Sequence, residues 1–418
     1  MQRSLLLKMK GECLVMLALS ALTVQAVPRL TVDWESPQAV DRGDYPRMRV
    51  LADGRYALVY SQLRQAKAHG GAWALEALMR TSSDRGRTWS AAETVIPPLF
   101  VKDREGREMS VSMANSELTQ LSSRHPAKPG RLVYSVNLRP SRNRSSVYPF
   151  SLGCKVSDDA GRTWSELKIP FKSQVWTNDV VRGCWEPYVQ ELPDGTLHMY
   201  YSDENPYWSK GNRDQNISYL VSTDGGDTWS GPKMASYTEG GRDGMPVTTI
   251  VGDRLYLAVE AHHADHLKWP MRQRIVSTKV SAPWAEPVLA HSPFRYDPIV
   301  PPLGEDVYCG APYLVQTENF LLLSGQYAQR LPGQKRPLLD QTTFPVWAMR
   351  KSEIGPAGEL ASFRCPSNPL GQVRPVRWSS LTALGGDDVM AVLLSEGRGV
   401  DAPIVLVRGH VREKACSL

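Results

Sequence analysis

The chain has 418 residues and a formal charge of +6 at neutral pH, from 49 Lys and Arg against 43 Asp and Glu. That excess is small and scattered, with no basic block, so composition argues against a nucleic-acid partner. The 32 Gly and 31 Pro are spread evenly, which argues against a linker or low-complexity tract and for many short strands joined by turns.

Residues 1–26 read as an export signal: Arg3, Lys8 and Lys10 precede an apolar run over 13–24, and "VQA" ends at Ala26 with small residues where a signal peptidase reads. The run is too short to span a bilayer comfortably, and no other stretch could be a membrane span. A secreted protein, extracellular or periplasmic, is therefore expected, with 27–418 as one catalytic domain. Cys154, Cys184, Cys309, Cys365 and Cys416 remain after cleavage. This odd number leaves at least one thiol unpaired, and no CxxC spacing suggests a metal.

"RLTVDW" (29–34) reads as a strand that joins the last repeat and closes a circle. Three segments then share the template Ser-x-Asp-x-Gly-x-Thr-Trp: "SSDRGRTW" (82–89), "SDDAGRTW" (157–164) and "STDGGDTW" (222–229). Each suits a compact turn in which the aspartate accepts hydrogen bonds from the turn's own amides, the glycine takes a left-handed angle and the tryptophan anchors the loop by burial. A worn fourth copy, "STKVSAPW" (277–284), keeps the first Ser and the last Trp. About 30 residues before these boxes lies a second series of turns, at 53–54, 129–130, 194–195, 252–253, 318–319 and 386–387, each followed by an apolar strand. Intervals of roughly 55 to 75 residues hold four strands apiece, which predicts an all-β, six-bladed propeller, with seven blades as the competing count.

The innermost strand of each blade would start near the axis, so side chains at those starts should converge on one pocket. Reading back from the turns gives Arg47 in "YPRM", Glu117 in "NSEL", Glu186 in "WEPY", Arg242 and Asp243 in "GRDGMP", Tyr313 in "APYL", and Arg377 with Trp378 in "VRWSS". Reading forward from the fourth turn, "LYLAVE" ends in Glu260, a carboxylate at the end of an apolar strand, where its protonated form is favoured. A single glutamate at a strand end is more often a rim residue or an ion-pair partner. Two in register with the repeat suit glycoside hydrolysis, in which one carboxyl protonates the leaving oxygen and the other attacks carbon or activates water. Arg47, Glu117, Arg242, Asp243 and Trp378 would bind the sugar, and Tyr313 would tune a carboxylate by hydrogen bonding. The cluster His262, His263, Asp265 and His266 lacks a second ligand set and reads as surface or sugar contact rather than a metal site. No metal or cofactor is expected.

The boxes resemble the Asp-box repeats of the sialidase superfamily, and that resemblance implies a six-bladed propeller over essentially the whole mature chain. Within it, "WEPYVQELPDG", "YYSDE", "GRDGMP" and "LAVE" resemble the exo-1,5-α-L-arabinanase family, secreted retaining hydrolases acting on chain ends of arabinan. The resemblance implies Glu186 and Glu260 as the catalytic pair, in an order left open, and Tyr313 in "GAPYL" as a pocket tyrosine. "RDGMP" departs from the "RPGMP" of that pattern.

True sialidases are the rival: they resemble the chain at Arg47 and at Tyr313 as a nucleophile. A carboxylate clamp would need Arg47, Arg242 and either Arg330 or Arg377. Their acid/base aspartate should lie between Tyr60 and Ser83, where Glu76 is the only carboxylate. The reading is thus a monomeric exo-acting glycoside hydrolase with an oligo- or polysaccharide substrate, the alternatives being an exo-α-sialidase or a carbohydrate-binding propeller without turnover.

Overall fold

The computed structural model describes residues 29–414 other than 104, 141–147, 175–181, 208–213, 263–270, 336, 338–340, 372–374 and 396–399. The export signal expected over 1–26 lies outside the described residues, as do His263, Asp265 and His266. The described chain is all-β apart from short 3-10 turns.

In chain order the strands are β1 (Arg29–Trp34), then β2 (Gln38–Val50), β3 (Tyr56–Ala66), β4 (Ala72–Ser82) and β5 (Glu93–Ile96). Next come β6 (Leu99–Lys102), β7 (Glu108–Gln120), β8 (Leu132–Pro140), β9 (Ser151–Ser157) and β10 (Lys168–Lys172). The middle of the chain supplies β11 (Cys184–Glu191), β12 (Leu197–Asp203), β13 (Asn216–Ser222), β14 (Lys233–Tyr237), β15 (Arg242–Val251), β16 (Arg254–His262), β17 (Arg272–Lys279), β18 (Val288–Leu289) and β19 (Arg295–Tyr296). Last are β20 (Val307–Gln316), β21 (Phe320–Gln329), β22 (Val346–Arg350), β23 (Arg364–Ser367), β24 (Val376–Gly385), β25 (Asp388–Ser395) and β26 (Ala402–Lys414).

Pairing is almost wholly antiparallel and between sequence neighbours. The sheets run β10-β9-β8-β7-β6, β11-β12-β13-β14-β18, β15-β16-β17-β19 and β20-β21-β22-β23. The largest sheet runs β24-β25-β26-β2-β3-β4-β5 with β1 added on β26, so it is built from both ends of the chain. β1 pairs along its whole length, from Arg29 opposite Lys414 to Trp34 opposite Gly409, and β2 adds Gln38 opposite Leu406. The N-terminal strand thus clasps the C-terminal one, as its sequence position suggested.

All six turns read from the sequence are hairpin turns, joining β2 to β3, β7 to β8, β11 to β12, β15 to β16, β20 to β21 and β24 to β25. The first strand of each hairpin packs on the first strand of the next, β2 on β7, β7 on β11, and so on until β24 returns to β2. The core lies between successive sheets: Val59, Ala77 and Met79 meet Val111, Leu118 and Tyr134, while Val133, Leu152 and Cys154 meet Val189, Leu197 and Met199. Inner strands are covered on both faces, which is why "LHMYYSD" is buried throughout. Burying both faces turns the usual strand alternation into a near-continuous apolar run.

The three template turns join β4 to β5, β9 to β10 and β13 to β14, and they share one hydrogen-bond pattern. In the first, Ser82 Oγ donates to Asp84 Oδ1 at 2.8 Å and accepts from Gly86 N at 2.8 Å, while Thr88 donates its amide at 2.9 Å and its hydroxyl at 2.6 Å to Asp84. Ser157, Asp159, Gly161 and Thr163 repeat it, as do Ser222, Asp224, Gly226 and Thr228. Donation by Thr88 and Thr163 holds the Asp84 and Asp159 carboxyls down at about 2. In the worn copy, Ser277 instead accepts from Arg254, and Trp284 is buried with its indole N–H on the Tyr200 hydroxyl at 2.8 Å.

Gly161 sits at φ +91, and a Cβ there would meet Met79 Cε at 2.6 Å, whereas Gly231 has open space around it. Gly161→Ala should therefore destabilise the protein by about 1–3 kcal/mol through backbone strain alone, and Gly231→Ala should leave stability nearly unchanged. Urea unfolding of both variants checks this; equal midpoints would contradict it.

Candidate active site

Each of the six first strands is interrupted by a bulge. The ladder with the second strand breaks between Asp44 and Arg47, Ala114 and Glu117, Trp185 and Tyr188, Gly244 and Val247, Gly310 and Tyr313, and Arg377 and Ser380. At every break two residues stand opposite one on the partner strand, and the first of the two is left-handed: Tyr45 (φ 53), Asn115 (φ 51), Glu186 (φ 53), Met245 (φ 51), Ala311 (φ 45) and Trp378 (φ 43). Left-handed angles at non-glycine residues cost about 1–3 kcal/mol each and persist only where the surroundings impose them. Proline follows in four cases, at Pro46, Pro187, Pro246 and Pro312, where the broken ladder needs no N–H. Tyr45, Met245 and Ala311 are buried against one another with Trp378 packed on them, so bulges from four strands meet in one apolar floor.

Glu186 is the bulge residue of β11. Its Oε2 accepts from Ser202 Oγ at 2.9 Å, and Ser202 Oγ in turn accepts from the amide of Met245, the next bulge, at 3.0 Å. That second bond commits the serine proton to the glutamate. Glu260 stands on β16 opposite Gly244, with Oε2 accepting from the amide of Ala311, the following bulge, at 2.8 Å. Gly310 makes room for it, since a Cβ there would lie 2.5 Å from Glu260 Oε2. Both glutamates are half-buried. Burial pushes Glu260 up to about 7, and the Glu186 charge pushes the same way. Burial also raises Glu186, against the pull of Arg139 and the Ser202 bond. The Glu186 charge that raises Glu260 puts the two carboxyls in one electrostatic neighbourhood, where Glu260 holds its proton toward neutral pH.

Around the pair stand groups that sequence reasoning missed. Tyr308 is buried and its hydroxyl is raised well above the ordinary range, first by burial and then by the Glu260 and Glu186 charges. Its oxygen lies 2.4 Å from where a Gly310 Cβ would be, beside Glu260 Oε2. Arg139, whose guanidinium lies 5.1 Å from the centre of the Trp185 ring, binds Asn137 Oδ1 at 2.7 Å and the Asn115 side chain. Asp44, one residue before the first bulge, is 7% exposed and raised to about 6 by burial, against Arg139, Arg47 and Arg377. A lone Asp or Tyr carries no mark in a sequence; only its place beside the bulge gives it away.

The other predicted residues fall at other levels of the strands. Arg47, Glu117 and Tyr313 lie two residues beyond the left-handed residues of their bulges and are nearly fully buried. There Glu117 joins Arg49 at 2.7 Å and Arg47 at 3.4 Å, Arg49 donates to the Tyr313 hydroxyl at 2.9 Å, and Arg47 also donates to the Pro46 and Trp378 carbonyls at 2.8 Å. This ionic plug seals the strands beneath the bulges. Farther along the same strands, toward the hairpin turns, a cavity of 380 Å³ is lined by Arg49, Gln120, Tyr188 and Gln190 among others. Asp243 is fully buried in a two-pronged bond with Arg295, at 2.7 and 2.9 Å, and accepts from Ser236. Arg242 binds Glu204 at 2.7 Å and lowers both catalytic candidates by its charge. Trp378 belongs to the floor. Arg330 pairs with Asp306 in an exposed position, and Glu76 with Arg64 and Thr94. Cys154, Cys184 and Cys309 are buried free thiols, and among the described residues no cluster of His, Cys, Asp and Glu could hold a metal.

No family model matches this chain, and no curated protein sequence matches it. Solved structures do match. A protein of unknown function from Dyadobacter fermentans superposes with a TM-score of 0.61 at 12% identity over 91% of this chain and 99% of that one. A mutant α-L-arabinofuranosidase from Fusarium graminearum, in complex with an iminosugar inhibitor, gives 0.60 at 16% over 90% and 97%. A leech intramolecular trans-sialidase gives 0.53 at 10% over 91% and 69%. At these identities the likeness is one of fold, and the chain has the sialidase-like all-β fold.

The Glu260 shift sets a pH dependence of stability. Its carboxyl ionises near 4.5 when unfolded and at about 7 in the fold, so the unfolded chain loses its proton first as pH rises, and the native state is penalised progressively between those values. Glu260→Gln should therefore melt at a higher temperature than the parent at pH 8 and at the same temperature at pH 4. A lower melting temperature at pH 8 would mean that the Ala311 amide bond outweighs the burial of charge.

Proposed function

We propose that the protein is an exported exo-acting glycoside hydrolase built as a closed six-bladed β-propeller, which removes terminal neutral sugars from an oligo- or polysaccharide and is most like an exo-α-L-arabinanase. The carrying observation is the Glu186 and Glu260 pair: two half-buried carboxyls from neighbouring hairpins, each held by a bulge, sharing one electrostatic neighbourhood. One proton between two such groups supports acid catalysis by one and attack or base catalysis by the other. The ring of packed first strands supports the blade count. The arabinofuranosidase that shares the fold over nearly its whole length supports the substrate class by analogy.

In this reading the protonated glutamate donates to the glycosidic oxygen as the bond to the anomeric carbon lengthens. The charged one then forms a covalent glycosyl ester, which water opens with the first residue acting as base. That double displacement retains the anomeric configuration and suits carboxyls about 5–5.5 Å apart. Ser202 orients Glu186, and the Ala311 amide orients Glu260. Arg242 acts on the charge balance of the pair, while half-buried Trp378 offers an aromatic face to a sugar ring.

The environment of Arg47 speaks against a sialidase. Its side chain is 2% exposed, with the guanidinium packed against Glu117 and two carbonyls, out of reach of a substrate carboxylate. The Tyr313 hydroxyl is likewise bonded to Arg49 below the floor.

Release of arabinose from linear arabinan, set against release of sialic acid from a sialyl lactose, tests the substrate class; the second alone would overturn the arabinanase reading. Glu186→Gln should lower the hydrolytic rate by about 100-fold or more while sugar binding survives. Hydrolysis at the parent rate would remove Glu186 from the mechanism. In the parent, kcat/KM should fall as pH rises through about 7, where the Glu260 carboxyl loses its proton.

A further inference from the structure

Asp44 is the charged group that the reading above leaves without a task. It lies 7% exposed on β2, and its buried Oδ1 has no hydrogen-bond partner among the described residues. A buried carboxyl oxygen without a donor costs stability that packing does not return. Persistence of such a group is expected where it meets a ligand or a reacting atom.

Its placement is that of a site residue. Asp44 precedes the bulge residue Tyr45, as Trp185 precedes Glu186, Gly310 precedes Ala311, and Arg377 precedes Trp378. These positions ring the apolar floor, which Tyr45 shares with Met245 and Ala311. On the ring, the Arg139 charge acts on both Asp44 and Glu186, Arg377 acts on both Asp44 and Tyr308, and Tyr308 feels Glu260 and Glu186. Met245 and Ala311, which pack on Tyr45, are the residues whose amides hold Ser202 and Glu260. Asp44 thus feels the charges of Arg139 and Arg377, the first of which also acts on Glu186.

We propose that Asp44 is a third acidic group of this pocket, a positioning residue that accepts a hydrogen bond from a hydroxyl of the terminal sugar whose bond Glu186 and Glu260 cleave. This rests on the hydrolase reading above and adds to it the glycone chemistry: a sugar with a free hydroxyl directed at β2. Arg139 and Arg377 hold the carboxylate charged when the hydroxyl is present, and the amide of Tyr45 favours the same form. A carboxylate acceptor binds a hydroxyl more tightly than a neutral one does.

The test uses the full chain carrying Glu186→Gln, so that substrate binds without turnover, titrated calorimetrically with 4-nitrophenyl α-L-arabinofuranoside. Adding Asp44→Ala should weaken binding about 10- to 100-fold, and Asp44→Asn less. The melting temperature at pH 7.5 should stay level or rise in both, because an ill-partnered buried charge is removed. Affinity should strengthen as pH rises through about 6 in the Asp44 protein and be flat there in Asp44→Asn. An affinity within twofold of the Asp44 protein, or a drop in melting temperature with affinity and pH profile unchanged, would overturn the proposal and make Asp44 structural. Should the chain bind neither this glycoside nor any of a panel of neutral 4-nitrophenyl glycosides before Asp44 is touched, the hydrolase reading fails and this inference falls with it.

Discussion

One backbone irregularity, repeated six times, organises the molecule. Each first strand carries a two-residue bulge whose leading residue is left-handed, and in no case is that residue a glycine. A bulge bends its strand, re-aims the side chain and frees backbone groups from the ladder. Here the freed groups are put to use: the amide of Ala311 holds Glu260, the amide of Met245 fixes Ser202 and through it Glu186, and the carbonyls of Pro46 and Trp378 receive Arg47. Take the bulges away and the pair would lose both its direction and its hydrogen bonds.

Beneath the bulges the strand centres need a partner for one another, and the protein supplies an ionic one. Arg47, Arg49 and Glu117, with the hydroxyl of Tyr313, link strands β2, β7 and β20 by charge-assisted bonds. Buried ion pairs seldom add much stability over well-packed apolar residues, but losing one partner from such a group leaves an uncompensated charge. The plug therefore acts chiefly to specify how three strands meet. Arg49 of this group also lines the cavity toward the hairpin turns.

Much of this was legible in the sequence because turn chemistry is local. The Ser-x-Asp-x-Gly-x-Thr-Trp turns need particular atoms at fixed spacing, and the atoms found are the ones that template implies. The six hairpin turns were equally plain, and from them Glu186 and Glu260 could be placed at the starts and ends of inner strands. What could not be read was depth. Counting back from a turn treats Arg47, Glu117, Glu186 and Tyr313 as equivalent, yet Glu186 is a bulge residue and the other three lie two residues beyond theirs. Bulges leave little trace, since of the six left-handed residues only Asn115 belongs to a type that favours that angle; the recurring proline after them is the one usable signal. Asp44 and Tyr308 were invisible for a related reason: their character comes from neighbours on other strands. Asp243, read as a sugar contact, spends its carboxylate on Arg295, a residue 52 positions away.

The proposed site is two carboxyls in one electrostatic neighbourhood, with Glu186 acting on Glu260. Carbon-13 NMR of the glutamate side-chain carboxyls, followed with pH in the parent and in Glu186→Gln, measures this without any assumption about substrate. Glu260 should titrate near 7 in the parent and lower in the variant, where the neighbouring negative charge is gone. An unchanged Glu260 titration would mean that the two groups do not sense each other, and the proposed site would not exist.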